Sequence, residues 1–199
     1  MKQQLLVASH NQGKVAEFAD MLGELDVAWL GLADVGVSFS VEESGTTLAE
    51  NAILKAAAYA RASGLLTLAD DTGLFVDALD GEPGIYPARY GGPDLTPRQR
   101  YERLLRALAD VPWEARTARF RCVIALARPT GVVGTVEGVC EGFIATTPAG
   151  THGFGYDPVF YVSALGRTLA EMMPAQKHQI SHRGKAIRAL IPLLRGTLP

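Results

Sequence analysis

At 199 residues the chain suits one domain, with room for two lobes and a sizeable core. Its 48% hydrophobic and 20% charged residues are ordinary for a globular protein. A formal net charge of -2 gives no electrostatic case for a nucleic-acid polymer or an anionic membrane as partner. No long apolar segment follows Met1-Lys2, and no apolar run approaches the roughly 18 residues needed to span a bilayer, so the expected setting is cytoplasmic. Cys122 and Cys140 both fall in strand-like runs, which suits reduced core residues, and no Cys/His spacing resembles a zinc site.

The first element is an apolar strand, Leu5–Ala8, followed by Ser9-His10-Asn11-Gln12-Gly13-Lys14. A helix is predicted over 14–22, with Val15, Phe18, Ala19 and Leu22 on one face. A short strand lies near 27–30, then a polar, acidic loop over 38–46. Thr47-Leu48-Ala49-Glu50 has the capping-box pattern and opens a helix that runs to Ser63 and stops at Gly64. A buried strand over 65–69 ends in Asp70-Asp71-Thr72-Gly73, residues 81–84 form a turn with Pro83, and residues 87–93 are irregular. Thr96-Pro97-Arg98-Gln99 caps a third helix with Tyr101, Leu104, Leu105 and Leu108 as its stripe. Residues 115–127 and 132–143 read as a hairpin with its turn at 129–131. A glycine-rich loop over 150–157, a short strand near Phe160 and a last helix after Ser181 complete the chain. Strands alternating with helices, with one hairpin inserted, give an α/β class with a mixed sheet.

Six polar segments can carry chemistry. A loop entering a helix N-terminus offers free N–H groups and the positive end of the dipole, so Ser9–Lys14 suits an anion, with Lys14 adding charge. Asp70 and Asp71 follow a buried strand, where neighbouring side chains face opposite ways; one is expected in the site and the other to be structural. Carboxylates there suit a hard cation or a general base, and equally a capped turn. Glu42-Glu43 offers a second pair, either solvated or completing a magnesium site with Asp71. Asn51 and Lys55, spaced i, i+4, share a helix face on which Lys55 either meets phosphate or stays solvated. Phe154-Gly155-Tyr156-Asp157 can stack on and read a base, or simply pack a turn. Lys177 and Ser181-His182-Arg183-Gly184-Lys185 place cations where they oppose a helix dipole, so Arg183 can donate to a keto oxygen or a phosphate and His182 can bond a base edge, or the turn is simply a solvated basic one.

Taken in order and spacing, these segments resemble the inosine triphosphate pyrophosphatase family, the Ham1-like dITP/XTP pyrophosphatases. The likeness runs from Leu5 to about Leu194. It rests on Ser9–Glu17, Glu42–Thr47, Glu50–Ala56, Ala69–Leu74, Pro83–Tyr90, Gly153–Pro158 and Ser181–Gly184. It implies a single domain over 1–199 with a two-lobed α/β fold, a central mixed sheet flanked by helices, a nucleotide cleft between lobes, and a homodimer. The implied reaction is hydrolysis of ITP, dITP and XTP between the α and β phosphates. It yields a monophosphate and pyrophosphate and keeps deaminated bases out of DNA and RNA. Carried over residue by residue, Ser9, His10, Asn11, Gln12, Gly13 and Lys14 cradle the phosphates and Lys55 contacts them. Glu42 and Asp71 hold Mg2+, and Asp71 is the residue for activating water. Thr72 stands where the family often has Ser. Phe154, Gly155, Tyr156, Asp157, Lys177, His182 and Arg183 form the base pocket. The rivals are a Maf-type pyrophosphatase for other modified nucleotides and a non-catalytic nucleotide-binding module.

Overall fold

Helices begin where the caps stand. In the computed structural model, which describes residues 2–23 and 25–198, helix α1 (Gln12–Leu22) is capped by Asn11, whose side chain accepts from the Lys14 N–H. Helix α2 (Leu48–Ser63) opens on the Thr47/Glu50 capping box and ends at Gly64, whose φ of 73° and N–H bond to the Ala60 carbonyl make a left-handed stop. Helix α3 (Pro97–Ala107) carries the Thr96/Gln99 box and a proline in its first turn. A short helix α4 (Pro174–Ile180), invisible to periodicity at seven residues, precedes α5 (His182–Thr197). Among the described residues no helix is long and apolar enough to cross a membrane.

The strands are β1 (Gln3–Val7), β2 (Val27–Gly31), β3 (Leu66–Val76), β4 (Pro83–Gly84), β5 (Thr117–Arg128), β6 (Gly131–Ile144), β7 (Phe160–Val162) and β8 (Arg167–Thr168). Their hydrogen-bonded order is β2-β1-β3-β5-β6-β7-β8, with β4 on β3. Strand β1 is parallel to β2 and β3, whereas β3–β4, β6–β7 and β7–β8 are antiparallel, so the sheet is mixed as expected. Strand β3 does not end at Ala69. Leu66–Leu68 pair with β1, and Leu74 and Phe75 pair with Gly84 and Pro83, so the polar stretch 70–73 stays extended between two sets of partners. Gly73 permits this, because a Cβ there would lie 2.6 Å from the Phe75 ring and 2.8 Å from the Gly84 carbonyl oxygen.

The chain packs as two units, each with its own core. The first comprises residues up to Asp71, Cys122–Gly138 and those from Arg183 onward. Its core joins Leu5 and Val7, Phe18 and Leu22, Leu66 and Leu68, Cys122, Ile124 and Leu126, and Ile187, Leu190 and Leu194 of α5. The second comprises Thr72–Arg121 and Val139–His182, around Leu74, Leu104, Leu108, Phe120, Cys140, Ile144, Tyr156, Phe160 and Met172. Strand β5 shows the change in its own burial. Ala118 and Phe120 alternate with half-buried neighbours, and then Cys122–Ala127 are all buried. Inside the second unit Arg116 is 2% exposed, and its guanidinium donates to the carbonyls of Leu108, Ile144 and Ala145 at 2.6, 2.8 and 3.0 Å. Nothing in the sequence pattern marked that arginine.

Candidate active site

In the first unit, β1 delivers the chain to the start of α1. Ser9 Oγ accepts the Asn11 N–H at 3.2 Å, and Asn11 Oδ1 accepts the Lys14 N–H at 3.2 Å. This closes the loop and leaves earlier first-turn amides with no intrahelical acceptor. Gly13 lies inside the first turn of α1 rather than in the loop. His10 is exposed, and its Nε2 lies 3.3 Å from the Phe39 carbonyl oxygen and 3.2 Å from the Tyr59 hydroxyl. A cavity of about 710 Å³ is lined by Ser9, His10 and Gln12 with Trp29, Asp34 and Val37. That volume is in the range of ligand sites, roughly 300–1,000 Å³.

The two aspartates of β3 take separate partners, as alternation along a strand requires. Asp70 Oδ2 accepts from Lys14 Nζ at 2.9 Å, Arg183 at 3.2 Å and Cys122 Sγ at 3.7 Å. Burial pushes the Asp70 carboxyl up, but the Lys14 ammonium and Arg183 guanidinium outweigh it and hold the group well below the usual carboxylate range. Arg183 also donates to Glu17 at 2.6 Å, and its side chain is 1% exposed. The basic start of α5 is thus held by two carboxylates, one of them Glu17 on α1. Sequence reasoning left Glu17 without a role. Its burial at a position flanked by Phe18 is the sign a helical wheel could have shown.

Asp71 belongs to a second cluster. Its Oδ1 accepts from Lys55 Nζ at 2.8 Å and its Oδ2 from Asn51 Nδ2 at 3.4 Å. The same Lys55 ammonium meets Glu43 Oε1 at 2.7 Å. Burial, opposed by Lys55 and reinforced by the like charge of Glu43, leaves the Asp71 carboxyl raised above its ordinary value. Burial acts to lower the Lys55 pKa, but Asp71 and Asp70 outweigh it and raise the group, so its ammonium is held charged. Of the loop pair, Glu43 is therefore the residue bound to Lys55, while Glu42 is exposed. The i, i+4 spacing of Asn51 and Lys55 does bring both side chains to Asp71.

In the second unit, Thr72 is half-buried in β3. Asp157 Oδ2 accepts from Lys177 Nζ at 2.5 Å and from the Phe154 N–H at 2.8 Å, and the Lys177 ammonium lies 4.9 Å from the centre of the Phe154 ring. Gly153, at φ 73°, is required there, because a Cβ would lie 2.1 Å from Asp157 Oδ2. Gly155 follows at φ 63°. Tyr156 is buried and donates its hydroxyl to the Pro87 carbonyl at 2.8 Å. His182 is 3% exposed and stacks on Phe120 with ring centres 4.5 Å apart. The structure thus joins Phe154, Asp157 and Lys177 by direct contacts. Arg183, expected with them, has its charge met by Glu17 and Asp70 in the first unit.

Comparison with known proteins decides the family, since the Ham1 family model matches residues 5–193. The chain belongs to the Ham1 family. It is 49% identical over 185 residues to the dITP/XTP pyrophosphatase of Halalkalibacterium halodurans, covering 93% of this chain and 95% of that one. It is 43% identical over 192 residues to the dITP/XTP pyrophosphatase of Bacillus subtilis, covering 96% and 97%. Among solved structures, a HAM1 protein from Coxiella burnetii superposes with a TM-score of 0.88 at 40% identity, covering 98% of this chain and 99% of that one. The Ham1 protein of Staphylococcus aureus gives 0.86 at 42%, covering 98% and 100%. A Ham1-family nucleotide pyrophosphatase is a hydrolase of a kind that generally uses a divalent metal.

Proposed function

We propose that this Ham1-family chain hydrolyses the deaminated purine nucleotides ITP, dITP and XTP at the α–β phosphoanhydride, releasing a monophosphate and pyrophosphate. The observation that carries the chemistry is the Lys55 cluster. One ammonium holds two carboxylates, Asp71 and Glu43, on the unit that also presents the N-terminus of α1. Carboxylate oxygens on the acidic loop and on β3 are the donor type a hard divalent cation takes. Asp71 and the exposed Glu42 are the residues that would hold Mg2+, with Glu43 kept by Lys55. Bound there, the ion supplies charge neutralisation at the phosphates and acidifies water.

The chain's own groups divide the remaining work. First-turn amides of α1, with Ser9, His10, Asn11, Gln12 and Gly13 around them, bind phosphate oxygens. Lys14 and Lys55 stabilise charge on the departing pyrophosphate. Asp71 is placed to receive the proton of the attacking water. Thr72 offers a hydroxyl. Phe154 supplies a face for the purine, and the backbone of Gly155 and Tyr156, the Lys177–Asp157 pair and His182 set its polar edge, while Arg183, bound to Glu17 and Asp70, braces the start of α5. A 6-keto oxygen accepts from donors that would oppose adenine's amino group, and unmatched buried groups of that kind discriminate by about 10⁴-fold. Mg2+ as the ion, a homodimer as the assembly and the cytoplasm as the compartment belong to the same proposal and rest on the family resemblance. In the test, Asp71→Asn keeps ITP binding by calorimetry and loses pyrophosphate release; full turnover in that variant refutes the role of Asp71.

A further inference from the structure

Asn51 sits in the first turn of α2 with no exposed surface, and its side chain reaches two other elements. Its Oδ1 accepts the Gly45 N–H at 2.8 Å, and its Nδ2 donates to Asp71 Oδ2 at 3.4 Å. An amide is the group that does both. A carboxylate in its place could accept from Gly45 but would set a negative oxygen against Asp71. Gly45 is pressed against this point, since a Cβ there would lie 2.6 Å from Glu50 Cβ and 2.7 Å from Asn51 Oδ1. The next two residues are fastened to the same helix start. Glu50 Oε2 accepts from the Thr46 N–H at 2.6 Å, the Thr46 hydroxyl at 2.9 Å and the Thr47 N–H at 3.1 Å. The acidic loop is therefore joined to Asp71 by two routes, a charged one through Glu43 and Lys55 and a neutral one through Gly45 and Asn51.

We infer that Asn51 is a positioning residue that fixes the loop carrying Glu42 and Glu43 with respect to Asp71, and so sets the affinity for the divalent cation. This rests on the pyrophosphatase reading above. Residues that orient ligating carboxylates typically govern metal affinity by 10–100-fold. The charged route through Lys55 holds charge but leaves a flexible four-carbon stem in the chain of contacts. The Asn51 route is shorter and buried, and it fixes the backbone itself.

The test measures two quantities, the Mg2+ concentration that half-saturates pyrophosphate release from ITP, and hydrogen exchange of the Gly45 amide in metal-free protein. In Asn51→Ala the half-saturating Mg2+ rises about tenfold, by a larger factor than kcat falls, and Gly45 loses its protection. Gly45→Ala pushes the same contact apart from the other side, shifts Mg2+ the same way and serves should Asn51→Ala not fold. A half-saturating Mg2+ within about twofold of wild type in a folded single variant, or Gly45 protection unchanged in Asn51→Ala, overturns the inference. A wild type that releases no pyrophosphate from ITP with Mg2+ overturns the pyrophosphatase reading instead.

Discussion

Replacing Arg183 by alanine separates a buried structural cation from an exposed one. The side chain is 1% exposed and holds Glu17 at 2.6 Å and Asp70 at 3.2 Å, themselves 10% and 1% exposed. Alanine removes the cation that both carboxylates share. Asp70 retains Lys14 and Cys122. Removing one partner of a buried pair costs about 3–5 kcal/mol, a large share of the roughly 5–15 kcal/mol that holds a domain together. For a chain of this size each kcal/mol moves Tm by about 2–4 °C, so a fall of about 10 °C is expected. Urea unfolding at pH 7 is the assay. Arg183→Lys should recover only part, because one ammonium cannot fork to both carboxylates. Arg183→Met with Glu17→Leu should recover more, since exchanging a buried pair for apolar groups is often close to neutral. A loss below about 1 kcal/mol in Arg183→Ala, the level of an exposed ion pair, would refute the reasoning.

Acid should expose the Asp70 contribution. Its folded pKa is depressed, so its stabilisation is present above the unfolded value near 4 and is lost as pH falls from about 5 toward the folded value. The urea midpoint of wild type should therefore fall over that window more steeply than that of Asp70→Asn; parallel curves would contradict the assignment. Arg116→Leu leaves three buried carbonyls without their guanidinium donor and should cost about 3 kcal/mol, read by thermal unfolding. A stable Arg116→Leu variant would mean those carbonyls find other donors.

Local chemistry made most elements legible. Thr47 with Glu50, Thr96 with Gln99, and Gly64 act within a few residues of themselves, so their spacing announces helix ends before any fold is known. The stripes of α3 and α5 were readable for the same reason. What escaped was decided by distant partners. Strand β3 continues past Ala69 because strands distant in sequence pair with it, β5 as its neighbour in the sheet and β4 at Leu74 and Phe75. Helix α4 is too short to show a period. In the site, motif order named Lys14, Lys55 and Asp71, but Glu43 and Glu42 are neighbours in sequence, and only the fold shows which one Lys55 holds. Arg183 was legible as a base-pocket candidate, but its partners Glu17 and Asp70 lie 166 and 113 residues away in the chain, where no local pattern reaches.

The central claim is tested most directly by supplying equal concentrations of ITP, XTP, GTP and ATP, with Mg2+ and with EDTA, and measuring pyrophosphate and orthophosphate separately. The account predicts metal-dependent pyrophosphate from ITP and XTP, little from GTP or ATP, and no orthophosphate. Orthophosphate from ITP, or equal rates with ATP, would contradict it.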